Sequence, residues 1–447
     1  MAIKIAARNY LRGKFDLENM HLSNVLTLLG QNEDGNDGSY SLFNCFDYCF
    51  SSIDKRTRKC LSKLLIFESP FTEDAAREIL DVSRSDLFKV YETGFLEKID
   101  ISERGIPLDF LFYDFHPLIR EFLSKKKKEH RSYARLVHYY VELIRRAIGY
   151  DPFARAVFNS LITSYYLRNS LKILLRIVDY HTDQIERSKV SNQIGLLLAK
   201  LGFYEEARGF HSHSLEIDKQ LYGRNKSVKY KKWIINDLRN IGLSYMKSNA
   251  SLALEHCIEA LNQGKLIGYT EPMQFLEIGN IYLIKNNLDE AFKFYIEGHE
   301  NTLGKVTLQS VYSADALSTY YLETKNYLKS FGFIKMALKY LEDLNNVVKK
   351  EDYEECLSIL LSNLARVYNR LGRTDLSVEN LLRALQLDIS YHNVHGVLRV
   401  YKNLALYFYQ LERVDEGNEY YEKFLKLRGD LEHSIPIESS DHSVVFY

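Results

Sequence analysis

The strongest constraint on this 447-residue chain is a short block that recurs six times after residue 190. The copies read NQIGLLLAKLGFYEEARGFHSHSL, RNIGLSYMKSNASLALEHCIEAL, LEIGNIYLIKNNLDEAFKFYIEG, DALSTYYLETKNYLKSFGFIKMAL, SNLARVYNRLGRTDLSVENLLRAL and KNLALYFYQLERVDEGNEYYEKFL. Aligned on the large apolar residue that precedes a small one, they give Ile194, Ile241, Ile278, Leu317, Leu364 and Leu404, spaced 47, 37, 39, 47 and 40 residues apart. An apolar or aromatic residue follows three positions on, as in Ile278-Gly279 with Tyr282. A turn around Gly202, Asn286, Lys325 or Gly372 comes next, and a second segment opens on a small residue: Ala207, Ala253, Ala291, Ser330, Ser377 or Gly417. Spacings of three, four and seven put the apolar residues on one helical face. Each copy therefore predicts a helical hairpin with an apolar stripe on both arms, the small residue letting the arms approach closely. Such a hairpin cannot bury its stripes alone, so neighbours must stack. An irregular helical bundle is the alternative.

This pattern resembles the tetratricopeptide repeat. The spacing exceeds that family's usual length of about 34 residues, and SLEIDKQLYGRNKSVKYKKWIINDLRNIGLSY is similar to the longer-helix version found in kinesin light chains and related adaptors. Two departures stand out: the second copy is one residue short in its turn, and Gly417 and Phe424 replace the expected alanines of the sixth. The resemblance implies a mainly α fold, a right-handed α-α superhelix of about six repeats over residues 186–430, with a flexible tail at 431–447.

Composition bounds what such a chain meets. Formal net charge is zero, which gives no global pull toward nucleic acid or anionic membrane, so any electrostatic partner must meet a local patch. The five cysteines (Cys45, Cys49, Cys60, Cys257, Cys356) form no C-x-x-C pair and fit neither a disulfide framework nor a zinc site, which predicts reduced thiols in a cytoplasmic protein. MAIKIAARNYLRGKF lacks the apolar core of a signal peptide, and no apolar run reaches the length of about 18 that spans a bilayer.

The first part of the chain has a different character. Residues 31–41, QNEDGNDGSYS, form a loop; IDKRTRKCLSKLLIFE reads as an amphipathic helix. SPFTEDAAREILDV reads as a second, with Thr72 as N-cap and Ala75, Ala76, Ile79 and Leu80 as its apolar face. A third runs from Ser85 to Thr93 and stops at Gly94. Two strand-like runs, FLEKIDI and LDFLFYDF, flank SERGIP, and three helices before a β-hairpin predict a winged helix over 41–125. Pro117 then opens the next helix, and a helical linker fills 126–185.

The order LLIF, FTEDAAREIL, GFLEK and FHPLIREF is similar to the winged-helix subdomain of the signal-transduction ATPases with numerous domains, the family that includes NB-ARC proteins. AIKIAARNYLRG resembles the stretch C-terminal to that family's Gly-x-Pro-Leu-Ala motif, so residues 1–40 are expected to be the remnant of its helical subdomain, the chain beginning just after the motif. The resemblance implies a nucleotide-sensing histidine, and the matching position is His116, flanked unusually by Phe115 and Pro117. The alternative for His116 is a helix-flanking imidazole bonded locally. No G-x-x-x-x-G-K-[ST] occurs, so the cradle, lysine and magnesium hydroxyl of a P-loop are absent, and ADP or ATP enters only with an upstream ATPase domain.

No catalytic or metal constellation emerges. The pairs His211 with His213 and His392 with His395 lack companions at ligand spacing, and acid pairs such as Glu205-Glu206 and Glu354-Glu355 suit a solvated helix face. Lys125–Lys128 read as a solvated helix, and SDLFKVYETG carries too few cations for base readout, which argues against nucleic acid. By resemblance, the first helix of each hairpin lines a concave face. Carried over, its positions are Lys189, Asn192 and Lys200; Asn236, Arg239 and Lys247; Asn280 and Leu283; Asp315 and Glu323; Arg366, Asn369 and Arg370; and Arg399 and Lys402. Basic ends flank an acidic middle. The expectation is a non-catalytic scaffold that binds a protein or a partly acidic peptide, as the sensor arm of a nucleotide switch that oligomerises in its intact form; equally, these positions could pack on the ATPase domain of that switch. The alternatives are a free-standing adaptor of kinesin-light-chain type and, behind both, a winged-helix DNA-binding regulator.

Overall fold

The computed structural model describes residues 46–47, 49–67, 69–99, 112–124, 132–148, 154, 157–158, 167–390 and 393–432. The expected segment 1–40, the turn SERGIP, the Lys125–Lys128 run and the tail from residue 433 lie outside the described residues. The chain divides into two compact units: residues 1–142 with 160–162 and 166–173, and residues 143–159 with 163–165 and 174–447.

In the first unit, α1 (Lys55–Leu64) starts on Asp54, whose carboxylate accepts the Thr57 N–H at 2.9 Å. β1 (Phe71–Thr72) leads into α2 (Glu73–Leu80), which is capped by the Thr72 hydroxyl and buries Ala75, Ala76, Ile79 and Leu80, the residues that spacing places on its apolar face. α3 (Arg84–Glu92) gives way to Gly94 at φ 81°, a left-handed position suited to glycine. β2 (Glu97–Ile99) and β1 both pair antiparallel with β3 (Phe112–Asp114), in the order β1-β3-β2. β1 has no signature in the sequence, because two residues show no alternation. Tertiary packing fixes it: Phe71 stacks on Phe67 with ring centroids 4.2 Å apart and lies 6.1 Å from the ring of Tyr113. α4 (Pro117–Ser124) begins on its proline.

Beyond α5 (Tyr133–Ile148) and α6 (Leu167–Tyr180), six helical hairpins succeed one another. They are α7 (Gln184–Lys200) with α8 (Tyr204–Arg224), α9 (Val228–Tyr245) with α10 (Ala250–Leu266), and α11 (Pro272–Ile284) with α12 (Leu288–Glu300). Then come α13 (Leu308–Glu323) with α14 (Tyr327–Asp343), α15 (Lys350–Arg370) with α16 (Thr374–Ser390), and α17 (Val394–Gln410) with α18 (Val414–Glu432). Each helix packs on the next, and first helices also touch first helices of the following hairpin, as α7 with α9, α11 with α13 and α13 with α15. The apolar stripes form a chain of local cores, such as Ile278 and Phe275 with Leu254 and Leu261, rather than one centre.

The turns inside the hairpins match the sequence closely. Gly202, Asn286, Lys325 and Gly372 sit at φ 86°, 57°, 61° and 75°, and Glu412 takes the same role at 60°. The second hairpin, one residue short, turns differently: no residue is left-handed, and Asn249 accepts the N–H groups of Ser251 and Leu252. The 47-residue spacings arise largely where helices are long, since α8 and α15 each run 21 residues.

The small residues do hold the arms close. A Cβ on Gly195 would lie 2.7 Å from the His211 ring, one on Gly242 2.6 Å from Cys257 Sγ, and one on Gly279 2.6 Å from the Tyr295 ring. In the fourth hairpin Ser318 and Ser330 hydroxyls donate to each other's carbonyls at 2.9 and 2.8 Å. Tyr295 is fully buried and its hydroxyl donates to Asn280 at 2.6 Å, so the ring cannot retreat. Gly279→Ala is therefore expected to destabilise by about 1–2 kcal/mol, overpacking exceeding the helix-propensity gain of about 1 kcal/mol. Urea unfolding with an unchanged or raised midpoint would show that the contact is slack.

Candidate functional site

The first helices carry a polar ladder. Asn192 on α7 donates to Asp237 on α9 at 2.6 Å. Arg239 on α9 donates through Nε and Nη2 to both oxygens of Glu277 on α11, at 2.5 Å each, with only 21% and 11% of the two side chains exposed. Burial alone would lower the Arg239 pKa, and Glu277 overrides it, holding the guanidinium charged. On α13 and α15, Asp315 accepts Asn363 Nδ2 at 2.9 Å to each oxygen, and Glu323 accepts Arg366 Nη2 at 2.8 Å. Two rungs repeat one register: Arg239 and Asp315 stand three residues before the small residue of their block, and Glu277 and Asn363 stand two before that of the next.

At several positions expected to line the groove, the side chains already have partners within the protein. Asn192, Arg239, Asp315, Glu323 and Arg366 bond to neighbouring hairpins: Glu323 is ion-paired with Arg366, and Asp315 accepts the neutral Asn363 amide. Asn280 is buried against the Tyr295 hydroxyl, and Leu283 packs beside the core that holds Tyr295. Asn369 accepts from the Thr374 hydroxyl at 3.3 Å, Asn236 from the Tyr269 hydroxyl at 3.4 Å, and Lys189 pairs with Glu186 at 2.7 Å. Lys200 donates to the Ile148 carbonyl at 3.3 Å, and Lys247 lies 5.4 Å from the Tyr204 ring centroid. The missed partners Asp237, Glu277 and Asn363 were visible in principle, as polar residues interrupting the apolar stripe of a first helix.

At the far end of the array, on α15 and α17, Arg370 and Lys402 are exposed. Beside them, Arg366 Nη1 and Arg399 Nε are buried with no acceptor among the described residues. Burial holds the Arg399 pKa below its ordinary value against the pull of Asp388. Buried donors without acceptors lose hydration and gain nothing in return, so these two nitrogens remain open to an acceptor.

A second polar feature is fully internal. Asp218 on α8 accepts from Ser188 at 2.5 Å and lies against Asp237, whose Oδ2 has no donor among the described residues. Burial pushes Asp218 up to about 6, and burial together with the neighbouring Asp218 charge pushes Asp237 up to about 8. The Ser188–Asp218 pair recurs eleven residues after the second helix's small residue as Ser358–Asp388, 2.8 Å apart. There Asn393 also donates to Asp388 at 2.8 Å, and burial again raises the carboxyl pKa.

His116 caps α4: its Nδ1 accepts the Leu118 N–H at 3.3 Å and its carbonyl accepts the Arg120 N–H at 2.9 Å. An acceptor Nδ1 places the proton on Nε2. Arg120 braces the same corner, donating to the Phe67 carbonyl and to Asp114. His211 is buried and burial lowers its pKa to about 4, while no cluster of metal-ligating side chains occurs among the described residues. His392 and the His395 side chain lie outside the described residues.

Residues 356–429, the fifth and sixth hairpins, match the tetratricopeptide repeat family model. No curated protein matches the chain. Among solved structures, a Rap protein complexed with competence and sporulation factor is 14% identical, covering 71% of this chain and 92% of its own, with TM-score 0.47. The apo form of RapI is 15% identical over 60% of this chain and 93% of its own, with TM-score 0.43. A signal-transduction ATPase with numerous domains from Pyrococcus horikoshii, with a tetratricopeptide repeat sensor, is 15% identical over 97% of this chain and 72% of its own, with TM-score 0.31. At these scores the fold rests on the chain's own helices: a mainly α protein built on a stack of hairpins, with tetratricopeptide repeats at its C-terminal end.

Proposed function

We propose that the hairpin array is a non-catalytic scaffold that binds a protein or an extended, partly acidic peptide along its first helices. Arg366, Arg370, Arg399 and Lys402 form the end that receives the anionic groups. The supporting observation is the pair of buried guanidinium nitrogens, Arg366 Nη1 and Arg399 Nε, without acceptors among the described residues: such donors are the kind that a carboxylate satisfies through charge-assisted bonds. Arg366 already braces Glu323, so the test uses the exposed pair. Arg370→Glu with Lys402→Glu is expected to weaken binding of labelled Glu-rich peptides at least about tenfold, with helicity unchanged. Undiminished peptide affinity in that variant overturns the reading.

We further infer that residues 1–125 are the helical and winged-helix parts of a signal-transduction ATPase with numerous domains, which makes the array its sensor arm. Support comes from the order α1-β1-α2-α3-β2-β3 with sheet order β1-β3-β2, and from His116 at the mouth of α4 with an Nε2 donor available to a phosphate oxygen. An in-frame P-loop upstream in the gene is the expected finding; an unrelated reading frame there removes the switch. The adaptor reading gains from the long helices α8 and α15 and shares the same binding face. DNA binding has little behind it, since α3 offers only Arg84 and Lys89 as cations.

A further inference from the structure

Between Lys219 and Lys232 the chain carries six cations and no carboxylate: Lys219, Arg224, Lys226, Lys229, Lys231 and Lys232. They occupy the last turns of α8, the connection Asn225–Ser227 and the first turns of α9, on the edge where one hairpin passes to the next. Since the whole chain is neutral, this is a local field. Some surface lysines elsewhere find acids, as Lys265 does with Glu297 at 3.4 Å and Lys423 with Glu419 at 2.5 Å. Among the described residues none of the five lysines here pairs with a carboxylate, and Arg224 donates to the neutral Gln184 amide at 2.9 Å.

The ammonium groups rest on aromatic rings. Lys226 and Lys231 lie 4.8 and 5.4 Å from the Tyr222 centroid, Lys229 lies 5.0 Å from that of Trp233, and Lys232 lies 4.6 Å from that of Tyr269. Beside them two apolar side chains face water: Val228 is 54% exposed, and Leu266, three residues before Tyr269, is 85% exposed.

We propose that this edge is a peripheral docking surface for a bilayer containing anionic lipids, with the lysines at the headgroups and Val228 and Leu266 entering the interface. Three features select a bilayer over other polyanions. Lysine is a point charge without the planar fork that reads one phosphate or carboxylate bidentately, and the one arginine is already engaged, so the patch suits a spread negative surface. The rings of Tyr222, Trp233 and Tyr269 each have an ammonium over them, which leaves a poor platform for stacked bases. Exposed Val228 and Leu266 have no use along a sugar-phosphate backbone, whereas apolar, Trp and Tyr side chains among lysines are the composition of an interfacial segment. No helix of the described residues is long and apolar enough to cross a membrane, so the association is peripheral.

Co-sedimentation of the full chain with phosphatidylcholine vesicles, with and without about one third phosphatidylserine, tests this. Binding is expected only with phosphatidylserine and is expected to fall at high salt. The triple variant Lys229→Gln, Lys231→Gln, Lys232→Gln is expected to lose about a hundredfold in partitioning at unchanged helicity. Val228→Ser with Leu266→Ser loses several-fold, and Trp233 emission shifts to the blue only with anionic vesicles. Equal binding to both vesicle types, or full binding by the lysine variant, overturns the proposal. Capture of poly-uridylate or polyglutamate without vesicle binding overturns it too, and reassigns the patch to that polyanion.

Discussion

Arg239→Met is expected to destabilise the array by about 3–5 kcal/mol, because it leaves Glu277 charged, mostly buried and without its two donors. The variant Arg239→Met with Glu277→Leu is expected to return close to the parent. The desolvation of both charges offsets most of their attraction, and apolar side chains of similar size fill the same space. The two results together separate the cost of an orphaned charge from the net worth of the pair, which a single substitution cannot do. Stability in a stack is largely a sum over hairpins and their interfaces, so the loss should appear first around α9. Trp233, the chain's sole tryptophan, lies on that helix and reports it. Urea unfolding followed by Trp233 emission should precede the loss of far-ultraviolet helicity in Arg239→Met and coincide with it in the double variant. Equal midpoints for parent and Arg239→Met would remove the ladder as a determinant of stacking.

The ladder depends on contacts between hairpins, which local sequence does not encode. The hairpins were legible because each rests on local rules: apolar spacing, a small residue at the close approach, and a left-handed turn residue at Gly202, Asn286, Lys325 and Gly372. The Thr72 cap of α2 and the Gly94 stop after α3 were legible for the same reason, whereas the Ser83 cap of α3 was not read. Pairing between hairpins was not, since Arg239 and Glu277 are 38 residues apart and either could face water in isolation. Polar residues on the first helices read alike in the sequence, whereas Asn192, Arg239, Asp315, Glu323 and Arg366 hold the neighbouring hairpin. Only the superposition of two blocks exposes the register in which position three before the small residue meets position two before the next. The strand β1 was hidden for a different reason, being two residues whose extended form depends on Phe67 and Tyr113.

The buried pair Asp218 and Asp237 gives the array a pH dependence whose sign is opposite to that of an ordinary salt-bridged acid. Both carboxyls titrate above their usual range, at about 6 and about 8, so the folded chain holds protons that the unfolded chain has released. Stability from this pair is therefore greatest at low pH and is lost as pH rises through about 8. His211, pushed down to about 4, acts the other way below its ordinary pKa near 6.5, because only the unfolded chain protonates it there. The clean window is thus from about pH 6.5 to 8, where the parent is expected to lose stability as pH rises. Asp237→Asn keeps an oxygen for the Asn192 amide and supplies a permanent donor toward Asp218. It should flatten that slope and gain on the order of 2–4 kcal/mol over the parent at pH 8. Asp388 is also raised by burial, but it is present in both proteins and cancels in their difference. If the parent and Asp237→Asn keep the same slope across this window, the two carboxylates do not share a proton, and the unpartnered Asp237 Oδ2 must find its donor in water.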